Sequence, residues 1–134
     1  MSDRGVTPQE ALDRLDDSRA ELGRLSSALF EVNQRLDQVD HDYQEFIDNF
    51  EVGLYLKSEE TDGPRLPSES MRQKLARREM DPELLGRRDG LIRKRERIRQ
   101  RISDVKAMVE ADRSILSALK VEAEASGNSL RRAA

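Results

Sequence analysis

LDDSRAELGRLSSALFEVNQRLDQVDHDYQEFIDNF, residues 15–50, decides the fold. Read at alternating steps of three and four it gives Leu15, Ser18, Leu22, Leu25, Leu29, Val32, Leu36, Val39, Tyr43, Phe46 and Phe50, and ten of these eleven positions are apolar. An apolar repeat of about 3.5 residues keeps one face of a helix turned toward a partner helix, with a left-handed supercoil. The stretch is therefore read as one arm of a coiled coil.

The partner arm lies downstream. Beyond Pro82 the same repeat returns as Leu84, Arg88, Leu91, Arg95, Ile98, Ile102, Val105, Val109, Asp112, Leu116, Leu119 and Ala123, nine of the twelve apolar. Between the arms, SEETDGPRL at 58–66 centres on Asp62-Gly63-Pro64, residues that favour a chain reversal. An all-α fold follows, a long antiparallel helical hairpin in which residue i faces approximately residue 126 minus i. That register sets Leu29 near Ile98, Leu25 near Ile102, Leu22 near Val105 and Phe50 near Ala76, with Tyr43, Phe46 and Phe50 against Leu75, Met80 and Leu84.

Punctuation fixes the boundaries. Thr7-Pro8-Gln9-Glu10 supplies a helix start, with Thr7 as cap, Pro8 where its missing N–H costs nothing, and Glu10 reaching back to the cap. No proline follows until Pro64. Arm 1 is expected over 7–58, a turn over 59–67 and arm 2 over 68–127, opened by Ser68 or Pro67. Pro82 disfavours the α conformation at Asp81, so arm 2 ends or kinks there. Ser126-Gly127-Asn128 reads as a helix stop. Residues 1–6 and 128–134 are expected to be disordered.

The composition agrees with a single elongated helical domain. The chain has 134 residues, 38% of them charged and 4% aromatic, so no thick core is available. Cysteine is absent, which excludes disulfides, thiolate nucleophiles and sulfur-ligated metals. No run approaches the roughly 18 apolar residues of a membrane span, and Met1 to Val6 lacks a leader-like apolar stretch. A cytoplasmic protein is expected. Ile47, Leu54, Leu85, Ile92, Met108 and Ile115 fall beside the seam and widen the apolar stripe beyond what two helices need, which favours a homo-oligomer.

Charge is segregated between the arms. Residues 1–66 hold 7 Lys/Arg against 16 Asp/Glu, a net of −9, whereas residues 72–106 hold 13 against 6, a net of +7. The densest basic run is Arg87, Arg88, Arg93, Lys94, Arg95, Arg97, Arg99 and Arg101. One reading makes it the complement of Glu31, Asp37 and Asp40, fixing the antiparallel register. The other makes it a track for nucleic-acid phosphates, with salt-dependent binding. Stacking platforms for unpaired bases are scarce: Tyr43, Phe46 and Phe50 fall on the seam, and Tyr55 near the turn is the freer candidate.

The sequence offers no catalytic constellation. His41, the sole histidine, sits opposite the seam, and there is no glycine-rich phosphate loop, nucleophile elbow or metal-spaced cluster. A non-enzymatic protein without cofactor, metal or small-molecule substrate is expected.

Three stretches carry a family resemblance: DYQEFIDNFEVGLYLK at 42–57, LPSESMRQKLARRE at 66–79 and DRSILSALKVEAEA at 112–125. With its length and charged helical character, the chain resembles the small bacteriophage recombination mediators of the UvsY type. That resemblance implies assembly into rings, binding of single-stranded DNA and help in loading a recombinase. By position it nominates Lys74, Arg77 and Arg78 for DNA contact. A structural or adaptor coiled coil, or a hairpin chaperone gripping clients with its arm tips, remains the competing expectation.

Overall fold

The computed structural model describes residues 6–133, with side chains through Gly127. It is all-α, with helices α1 (Pro8–Ser58), α2 (Glu69–Glu79) and α3 (Pro82–Ala133), and α1 and α3 pack antiparallel. The helix starts are the ones the sequence marks. Thr7 Oγ1 accepts from the Glu10 N–H at 3.1 Å, and the Glu10 carboxylate accepts from the Thr7 N–H at 3.4 Å. This reciprocal pair satisfies two of the donors that a helix start leaves unbonded.

At the other end of α1 the chain turns through successive hydrogen bonds from the Glu59, Glu60 and Gly63 N–H groups to the Tyr55, Lys57 and Glu60 carbonyls. Asp62 takes φ 66°, the left-handed region that a short polar side chain tolerates. Gly63 is required by space: a Cβ there would run into the Lys57 carbonyl oxygen. Ser68 caps α2, its hydroxyl accepting from the Met71 N–H at 3.3 Å.

The second arm breaks at the proline. Met80 is extended at φ −69° and ψ 146°, which ends α2, and the Asp81 carboxylate then accepts from the Glu83 N–H at 3.0 Å to start α3. Of the two outcomes expected at Asp81-Pro82, a kink in one helix or an end, the structure takes the end. Pro82 supplies the first residue of the new helix, where no N–H is needed. The stop expected at Ser126-Gly127-Asn128 is corrected, because α3 runs on to Ala133. Gly127 does not have the positive φ of a terminating glycine, and within a helix it costs only about 1 kcal/mol against alanine. Of the N-terminal expectation, residues 1–5 lie outside the described residues.

The chain divides into two compact units, one formed by residues up to Leu29 with those from Arg97, the other by Phe30–Glu96. In the first, Ala11, Leu15, Val105 and Val109 are buried, and the seam also buries Ser18 and Asp112. Arg14 reaches Asp112 at 3.8 Å, on the predicted register, and Arg101 reaches Glu21 within about one helical turn of it. In the second, Val32, Leu36, Val39, Ala76 and Met80 are buried. There Arg88 meets Asp40 at 2.7 Å, again within a turn of the expected pairing.

Every apolar seam position of both arms is buried or half-buried except Ala123. The residues beside the seam behave differently from expectation. Ile47, Leu54, Leu85, Ile92 and Ile115 are half-buried rather than left open, and only Met108 is exposed. Part of each of these side chains stays exposed beside the seam, which leaves the apolar stripe wider than the seam itself.

Candidate functional site

The Phe30–Glu96 unit holds the aromatic end of α1, all of α2 and the start of α3. Here the basic residues sort by what the acidic arm does with them. Arg88 is the most engaged. Its Nε donates to the Asp40 carboxylate at 2.7 Å while its guanidinium lies 4.5 Å from the centre of the Tyr43 ring. Arg72 repeats the arrangement, 3.8 Å from Glu51 and 5.6 Å from the centre of the Tyr55 ring, and donates to the Pro67 carbonyl at 2.8 Å. A guanidinium over a tyrosine face adds about 0.5–2 kcal/mol to its ion pair and occupies that face. Tyr55, expected to be free for stacking, is thus partly covered by Arg72.

Phe46 and Phe50 stack at 6.2 Å between ring centres, with their planes 17° apart. They line an open groove of about 740 Å³ with Gly53 and Leu54 of α1 and Leu75 of α2. Leu75 thus lines the same groove as Phe46 and Phe50. Arg95 is half-buried, with a buried Nε that has no hydrogen-bond partner and lies 3.6 Å from a Glu96 oxygen. Arg87, Arg93 and Lys94 stand exposed on α3, and Lys74, Arg77 and Arg78 on α2.

In the other unit, Arg97, Arg99 and Arg101 are exposed, and Arg101 forms a two-pronged bond with the Glu21 carboxylate at 2.6 and 3.1 Å. Of the acidic residues expected opposite the basic run, Asp40 is engaged across the hairpin, whereas Glu31 bonds to Arg35 on its own helix at 2.7 Å. Glu21 is the acidic partner that sequence reading missed. Its only signal was the register itself, which sets residue 21 within about a turn of 101.

The hydrogen bond from Arg101 holds the Glu21 carboxyl below its ordinary 4.5, outweighing slight desolvation, and the same bond raises the Arg101 pKa. A carboxyl with a lowered folded pKa contributes stability that is full above its unfolded value and disappears as pH falls through the folded one. Melting temperatures followed downward from about pH 7 should therefore show wild type above Glu21→Gln at neutral pH, the gap closing below the ordinary carboxylate range. A gap unchanged by acid would contradict the pairing.

Among the described residues, no group of three or more His, Cys, Asp or Glu could hold a metal ion, and no helix is long and apolar enough to cross a membrane. His41 is exposed, 3.9 Å from Glu45. No protein-family model, curated protein or solved structure matches the chain.

Proposed function

We propose that the protein is a non-enzymatic recombination mediator of the phage type, which oligomerises, binds single-stranded DNA and assists recombinase loading. One observation carries the reading: the acidic arm neutralises only part of the basic one. Arg88 and Arg101 pair across the hairpin with Asp40 and Glu21, while Arg87, Arg93 and Lys94 are exposed with no carboxylate partner among the described residues. Exposed cations left over from hairpin pairing suit a phosphate backbone, which needs positive charge at intervals and no deep pocket.

The second reading, an adaptor coiled coil without nucleic acid, draws support from Tyr43 and Tyr55. Both rings carry a guanidinium from their own chain, which takes up one aromatic face of each. An equilibrium titration of a labelled single-stranded oligonucleotide across salt separates the two. Binding that is tight at low salt and weakens steeply as salt rises is the mediator's result. No binding at low salt removes the mediator and leaves the adaptor.

A further inference from the structure

Two helix faces in the Phe30–Glu96 unit lack a partner although their composition asks for one. On α1, Glu45, Asp48, Val52 and Leu56 recur at three- and four-residue steps and so share one side of the helix, away from the seam. Val52 and Leu56 are 56% and 60% exposed, unusual for two large apolar residues one turn apart. On α2, Met71, Lys74 and Arg78 share the outward side by the same spacing, and Met71 is 47% exposed. The α1 face combines Val52 and Leu56 with an acidic pair, and the α2 face combines Met71 with a basic pair.

We propose that these two faces bind each other between two copies of the chain. α2 of one protomer lies along the 45–56 face of α1 in the next copy. The two halves lie on different sides of the protomer, so the contact is head-to-tail, each copy offering its α2 to one neighbour and its α1 face to another. The lengths match: α2 and the 45–56 stretch each extend about 16 Å at 1.5 Å per residue. Met71 would then cover Val52 and Leu56, with Lys74 and Arg78 set against Glu45 and Asp48. Opposite charges flanking an apolar strip fix orientation and suppress wrong pairings.

This inference rests on the oligomerising half of the proposed function and redistributes its basic residues. Lys74 and Arg78 serve the partner copy, leaving the exposed cations of α3 for the strand. Its readout is mass, so it stands or falls separately from DNA binding.

The test is a charge exchange followed by sedimentation equilibrium, with helicity measured in parallel. Wild type is expected to associate at tens of micromolar. Lys74→Glu with Arg78→Glu, and separately Glu45→Lys with Asp48→Lys, should each weaken association roughly a hundredfold by placing like charges together. All four replacements sit on exposed helix faces, so helicity should be retained. The quadruple variant should recover the wild-type mass. A monomeric wild type, an association indifferent to either double reversal, or a quadruple variant that stays dissociated would each overturn the proposal.

Discussion

Val105→Asp should lower the stability of the protein by about 3–5 kcal/mol, the cost of a buried charge without a partner. Val105 has no exposed surface and lies in the middle of the α3 repeat. Domains of this size hold only about 5–15 kcal/mol in total, so the variant should lose much of its helicity well below the native melting point. Met108→Asp is the control. That residue lies one turn away on the same helix but is 46% exposed, and its replacement should change stability by no more than about 0.5 kcal/mol. Circular-dichroism melts of the pair measure both. Equal losses would mean that the 3.5-residue seam does not hold the arms together.

Arg87→Glu, Arg93→Glu and Lys94→Glu together should weaken binding to a single strand by at least roughly a hundredfold at low salt. These three side chains are exposed, and none takes part in the ion pairs that join the arms, so reversal should leave melting temperature close to wild type. Arg95 does not belong in this set, because its half-buried Nε makes reversal a packing change as well as a charge change. Arg99 is likewise left in place, since it already has an interaction of its own. Filter binding or fluorescence anisotropy gives the affinity, and the melt confirms that the fold survives. A variant that folds normally and binds like wild type would remove these residues from the proposed DNA-binding surface.

The seam was legible because burial follows periodicity. The polar residues at its expected positions, Ser18, Arg88, Arg95 and Asp112, are drawn inward with the leucines and valines around them. The register was legible for a related reason: one turn between matched arms leaves little freedom in which residues face each other. Helix starts could be read from their caps, since Thr7, Ser68 and Asp81 make bonds within a few residues in sequence.

What could not be read depends on long side chains choosing among neighbours. The basic run pointed equally to a partner arm and to a phosphate track. The structure divides it residue by residue, turning Arg88 onto Asp40 and Tyr43 and leaving Arg93 outside. Arg72 over Tyr55 and Arg101 on Glu21 depend on geometry that composition does not encode. The stop at Gly127 was misread because a glycine ends a helix only when the chain actually turns left-handed there.

The central claim is that arginines of one arm divide between closing the hairpin and holding a strand. The salt dependence of single-strand affinity tests it most directly, compared among wild type, the outward set Arg87/Arg93/Lys94→Glu and the inward set Arg88/Arg101→Ala. Each lost phosphate contact should lower the slope of log affinity against log salt by about 0.7, so the outward variant should be shallower by roughly 2. The inward variant should keep the wild-type slope while losing thermal stability. Equal flattening by both sets, or a slope untouched by the outward one, would contradict the division.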